Sequence, residues 1–222
     1  MRTLLLSAVL LAATSVSAEP PVTDWRVLVP GEYHGDEAPA RPGPGWLALV
    51  PVGGVWRLEP AIVRATRVHD PVLDAEGDRT GIALTSNRSD TLVLLRLPDL
   101  QPGKVDTPAL KFSGGARLIS LGEAPLKLQF RSDEYVIEGR KAGIEVRTGG
   151  MRVVLPDLAA ARPDSEDAAS LLWAGDLDRD GRLDLLFSYS GYNRGGVCLY
   201  LSSGAPAGVP VRLAGCHGGV GC

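Results

Sequence analysis

"GRLDLLFSYSGYNRGGVCLYL" runs from Gly181 to Leu201. Two apolar runs, Leu183–Tyr189 and Val197–Leu201, flank a polar, glycine-rich centre, Gly191–Gly196. Each run is too short for a stable helix and rich in aromatic and branched residues, which suits a strand. The stretch therefore reads as strand, turn, strand. The same pattern recurs outward in both directions. "DWRVLV" (Asp24–Val29), "GWLALV" (Gly45–Val50), "AIVRATRV" (Ala61–Val68), "TLVLLRL" (Thr91–Leu97), "LKLQF" (Leu126–Phe130), "EYVIEG" (Glu134–Gly139), "GIEVRT" (Gly143–Thr148), "MRVVL" (Met151–Leu155) and "VPVRL" (Val209–Leu213) are short apolar runs between turn residues. The 27 glycines and 17 prolines favour tight turns over helices. Only Asp157–Arg162 and Glu166–Leu172 have a helical composition. The expected fold is all-β, with many short antiparallel strands and hairpins, sandwich-like or resembling part of a propeller.

Two further segments look alike. Gly81–Leu100 and Gly143–Leu158 each hold a strand, a polar turn, a second strand and Leu-Pro-Asp-Leu. They read either as degenerate hairpin repeats or as the chance likeness of alternating apolar residues. The proline-bearing stretch around 98–110 is a candidate boundary between two lobes. Glycine pairs in "VGGVW" (Val52–Trp56) and "FSGGARL" (Phe112–Leu118) lack the strand–loop–helix setting of a phosphate site and read as turns.

The first residues point to export. Arg2 is followed by the apolar run Leu4–Ala13 and by the small residues Val16-Ser17-Ala18. This is the pattern of a secretory signal over 1–18, cleaved after Ala18, and it leaves an exported domain over 19–222. The apolar run is too short for a membrane span. The expected location is secreted or periplasmic. Formal net charge is only −3, aromatics are 5% of residues, and no basic stripe occurs, so nucleic-acid binding has no support. An oxidising compartment permits disulfides among Cys198, Cys216 and Cys222. The short glycine-rich stretch between Cys216 and Cys222 makes their closure the expected one, with Cys198 as a small core residue.

The residues just before the opening stretch carry the chemistry. In "GDLDRDGRLD" (Gly175–Asp184), acids fall at positions one (Asp176), three (Asp178), five (Asp180) and nine (Asp184), with Gly181 at position six. Calcium takes six to eight oxygens at flexible angles, and alternating carboxylates in a tight loop can supply them. The glycine allows the chain to turn, and position seven, Arg182, then offers its backbone carbonyl. No His or Cys lies in the loop, which disfavours zinc and copper. The expected metal ligands are thus Asp176, Asp178, Asp180, the Arg182 carbonyl and Asp184, around one Ca2+.

The loop is not an EF-hand, because position twelve is Phe187 and both flanks read as strands. It resembles the calcium loop of the integrin-like FG-GAP and VCBS repeats, D-x-D-x-D-G-x-x-D followed directly by a strand. Asp176, Asp178, Asp180, Gly181 and Asp184 match that pattern position by position, and the likeness covers about residues 171–202. It implies a calcium ion held between two strands of one β unit. One such loop is found, so the resemblance carries the loop and its ion and not a whole propeller.

Other chemistry is sparse. His69, Asp70, Asp74, Glu76 and Asp78 form a second acidic stretch that fits no metal template and reads as an exposed turn. There is no Gly-x-Ser-x-Gly, and the only histidines are His34, His69 and His217. Trp25, Trp46, Trp56 and Trp173 each lie in a strand-like run and read as core. The expected function is an exported calcium-binding β module, its ion structural, that either binds a partner such as a protein or glycan or is associated with the cell envelope, and is not an enzyme. The alternative is a secreted hydrolase stabilised by the same ion.

Overall fold

A computed structural model describes residues 25–108 and 117–220. The signal segment 1–18, Gly114, Gly115 and Cys222 lie outside the described residues. Seventeen strands, all paired antiparallel, form four sheets, with no helix and no closed barrel among the described residues. The two segments of helical composition contain none. Asp157–Arg162 is turn and bridge, and most of Glu166–Leu172 is strand. Ala169 and Leu171 alternate onto one strand face, and a bulge after Leu171 turns Trp173 to the other, so burial on both faces outweighs the modest helix propensity of alanine-rich windows.

The N-terminal half builds two sheets. One joins Val27–Leu28 (β1), Val93–Leu95 (β7), Trp46–Val52 (β3), Val55–Ala61 (β4) and Gly103–Lys104 (β8) in that order. The other joins Gly31–Tyr33 (β2), Gly81–Ser86 (β6) and Val63–Val68 (β5). The C-terminal half builds a four-stranded meander of Leu126–Phe130 (β10), Asp133–Arg140 (β11), Gly143–Thr148 (β12) and Met151–Leu155 (β13). Its last sheet runs Arg212–Val220 (β17), Arg194–Leu201 (β16), Asp184–Gly191 (β15), Ala168–Gly175 (β14) and Arg117–Ile119 (β9).

Three cores stack these sheets face to face. Trp46, Ala48 and Val50 of β3 pack on Ile82 and Leu84 of β6. On the opposite face of the β3 sheet, Leu49, Leu58 and Leu95 meet Trp173, Leu186 and Leu199 from the β14–β16 sheet. The far side of that sheet presents Leu171, Leu185, Phe187 and Tyr200 to Leu128, Tyr135, Ile137 and Ile144 of the meander. The two inner sheets are therefore buried on both faces. That is why Leu183–Phe187 shows no polar alternation, apart from Asp184, whereas β11 does.

Strand pairing also decides the repeats and the bridge. β6 and β7 lie in different sheets, while β12 and β13 pair as a hairpin. Gly81–Leu100 and Gly143–Leu158 are thus not equivalent units, and their likeness is that of alternating apolar residues. The glycine pair Gly53-Gly54 is the β3–β4 turn, with φ of 57° and 82°. Trp46 and Trp173 are core residues, and Trp56 packs edge-on against Trp173 at 6.3 Å.

The disulfide joins Cys198 to Cys216, not Cys216 to Cys222. Cys198 on β16 and Cys216 on β17 are register partners, with Cα atoms 4.1 Å apart. Beyond Cys216 the chain stays extended to Val220. At roughly 3.3 Å per residue, that carries it about 13 Å away from Cys216. The bridge fits an oxidising, extracytoplasmic compartment. Among the described residues no helix is long and apolar enough to cross a membrane.

Candidate metal centre

The aspartate loop spans residues 176–183, between β14 and β15, in the middle of the stack. Two residues take the left-handed conformation that tightens it, Arg179 (φ 64°) and Gly181 (φ 88°). A side chain at Gly181 would also meet the Arg131 guanidinium at 2.6 Å. The glycine read from the motif is therefore favoured by conformation, while the flexible end of Arg131 can move aside for a side chain.

This turn brings Asp176, Asp178 and Asp184 together. One carboxylate oxygen from each lies within 4.8 Å of the others. Asp176 and Asp184 are buried, at 2% and 0% exposure, and Asp178 is half-buried. Like charges at that spacing repel by about 3 kcal/mol per pair at an effective dielectric of 20. Burial pushes the Asp184 carboxyl up to about 8, against the N–H donors of Ser202 and Leu177, and nearby Asp178 adds to the rise. Burial also raises Asp176, opposed by the Gly181 N–H and the Arg131 guanidinium.

The hydrogen bonds show which oxygens the protein itself satisfies. Asp184 Oδ2 accepts from the Leu177 N–H at 2.8 Å, and Oδ1 accepts from the Ser202 N–H and hydroxyl at 2.8 and 3.0 Å. Asp176 Oδ2 accepts from the Gly181 N–H and from Arg131 Nη2, both at 3.0 Å. Asp178 Oδ1 accepts from the Asp180 N–H at 3.2 Å. Asp176 Oδ1 and Asp178 Oδ2 are buried and have no hydrogen-bond partner among the described residues. Such groups are costly unless something positive meets them. An all-oxygen donor set fits a hard divalent cation such as Ca2+.

Asp180 and Arg182 stand beside this trio. The Asp180 carboxylate accepts from the Arg182 backbone N–H at 2.8 Å and from two nitrogens of its guanidinium at 2.8 and 3.1 Å. It also lies within hydrogen-bond reach of the Ser202 hydroxyl, whose single proton it shares with Asp184. Asp180 is thus one hydroxyl group away from the trio. The Arg182 side chain closes over Asp180 and donates to the Ser202 carbonyl, whereas Arg179 reaches out to the carbonyls of Gln101 and Pro102.

Residues far away in sequence frame the loop. The Asp176 N–H donates to the Asp106 carbonyl. Arg131 bridges Asp106 and Asp176, and the Tyr135 hydroxyl accepts from the Leu183 N–H at 3.1 Å. The loop therefore ties the segment just after β8, the β10–β11 hairpin and the residue following β16 to one another. Nothing in the D-x-D-x-D-G-x-x-D pattern signals Ser202, Arg131, Tyr135 or Asp106, because pairing across sheets delivers them.

The second acidic stretch is the exposed turn expected from its composition, with His69, Glu76 and Asp78 exposed, but two of its acids turn inward. Asp70 is 3% exposed and the Asp74 side chain 1%. Asp74 accepts from the Asp70 N–H and from the N–H and hydroxyl of Thr80. Asp70 accepts from the N–H groups of Val72 and Leu73 and pairs with His34 Nδ1 at 2.5 Å, and that bond holds its carboxyl below the usual range. These acids close their own loop, since short Asp side chains readily bond neighbouring backbone N–H groups.

No family model, no curated protein and no solved structure matches the chain.

Proposed function

We infer that the chain is an exported calcium-binding β module in which the ion holds the fold and carries no chemistry. The observation behind this reading is the pair of buried, unpartnered oxygens on Asp176 and Asp178 beside the buried Asp184. The motif resemblance supports calcium. The proposed ligands are Asp176, Asp178, Asp180, the Arg182 carbonyl and Asp184. Asp180, linked to Asp184 through Ser202, enters the shell as the fifth-position acid. The role is structural because the loop is wedged between paired core strands, and its carboxylates are used as ligands.

Calorimetric titration of EDTA-stripped protein tests this. One calcium per chain is expected. The affinity of extracellular modules is modest, about 10⁻⁴ to 10⁻³ M. Absence of both heat and a melting shift at about 10 mM calcium, well above that range, would sink the assignment.

The compartment reading has its own measurement. Mass spectrometry of protein recovered from its native host is expected to show a mature chain beginning at Glu19. A retained Met1 would contradict export through a cleaved signal.

A further inference from the structure

A cleft of about 950 Å³ opens between the β2–β6–β5 sheet with its 69–72 loop on one side and the β15–β16 turn with the end of β17 on the other. It shares no residue with the metal loop. Elements from both ends of the chain build it, the setting in which small-molecule sites commonly form.

Its lining divides into an apolar rim and an acidic side. Val72, Tyr192 and Val220 are 53%, 86% and 50% exposed, among the most exposed large apolar side chains of the described residues, and all three face this one space. Most charges around it are already paired. Asp70 is bound by His34, and Arg194 pairs with Asp167 at 3.3 Å. Two carboxylates remain. Glu37 accepts from the backbone N–H groups of His34 and Val220, neutral donors that fix its position without cancelling its charge. Glu32 is exposed and forms no ion pair among the described residues.

We propose that this cleft binds an organic cation, an amine or guanidinium on an apolar stem. The charge sits at Glu32 and Glu37, and the stem lies along Val72, Tyr192 and Val220. The Tyr192 ring adds cation–π attraction. Neutral ligands of equal length gain the apolar contacts alone.

The test compares 1,6-hexanediamine with 1,6-hexanediol, which share a stem and differ in charge. Binding is followed by calorimetry on the full chain with calcium present, so that the loop acids are engaged. The diamine is expected to bind and the diol to bind at least tenfold more weakly. The double variant Glu32→Gln, Tyr192→Ala is expected to weaken the diamine about tenfold. Both side chains are exposed, so its melting temperature should match wild type. The proposal is overturned if diol and diamine bind alike, if the double variant binds the diamine as wild type does, or if no diamine binding is detected.

Discussion

Asp178→Asn is expected to melt well below wild type in calcium and at or slightly above the wild-type temperature in EDTA, where losing one of three neighbouring charges relieves repulsion. Asparagine keeps the Oδ1 acceptor for the Asp180 N–H, so the metal-free loop loses no hydrogen bond. What it removes is the charge on Oδ2, one of the loop's two buried carboxylate oxygens with no partner among the described residues. An ion that binds only the folded state stabilises it by about 2.7 kcal/mol at a hundredfold excess over Kd. For a domain of this size that is roughly 5–10 °C in melting temperature. Asp184→Asn should cost more and behave differently. Its two oxygens accept from the Leu177 N–H on one side and from the Ser202 N–H and hydroxyl on the other. An amide nitrogen must face one of those donors and leave it unsatisfied, which costs about 1–3 kcal/mol in any buffer. Its deficit should therefore shrink in EDTA without vanishing. Scanning calorimetry of the three proteins with and without EDTA separates the cases. A Asp178→Asn deficit that persists undiminished in EDTA would show that Asp178 acts through packing and not through an ion.

Acid should weaken the fold through His217. Its ring is 2% exposed and stands edge-on to Trp25 at 5.5 Å and to Tyr33 at 4.6 Å. Nδ1 accepts from the Val29 N–H at 3.1 Å, so that nitrogen carries no proton. Burial lowers the pKa from 6.5 to about 4, opposed by the Glu37 backbone and by the Glu37 carboxylate charge. The folded state thus holds the neutral ring while the unfolded chain binds a proton. The stability is fully present above pH 6.5 and is lost as pH falls through 4. The full difference is on the order of 3 kcal/mol. Urea denaturation of wild type and His217→Gln at pH 7, 5 and 4 checks the sign and size. Wild type should lose more than the variant by about that amount between pH 7 and 4. Equal losses in the two proteins would mean His217 is not held neutral. The metal loop is the same in both proteins, so its contribution cancels in the comparison.

His217 shows what a local reading cannot reach. Nothing near "AGCHGGV" marks it as a buried joint, because Trp25, Tyr33 and Val29 arrive from the other end of the chain. The same holds for the bridge. Loop entropy alone favours Cys216 with Cys222, six residues on, yet the β16–β17 register sets Cys198 opposite Cys216. Pairing geometry outweighs a small difference in closure entropy.

What the sequence by itself determined is local. Short apolar runs between turn residues dictate strands, because backbone pairing is the only way to satisfy so many buried N–H and C=O groups without helices. The D-x-D-x-D-G-x-x-D spacing dictates a turn that gathers Asp176, Asp178 and Asp184, since alternation and a left-handed Gly181 act over a few residues. The tertiary structure alone decided how the sheets stack, that two of them are buried on both faces, and which distant groups enclose the loop. It also turned Asp70 and Asp74 of the 69–80 stretch inward. Apolar burial has no direction and does not name its partner, so sheet order follows from how whole faces fit and not from any one segment.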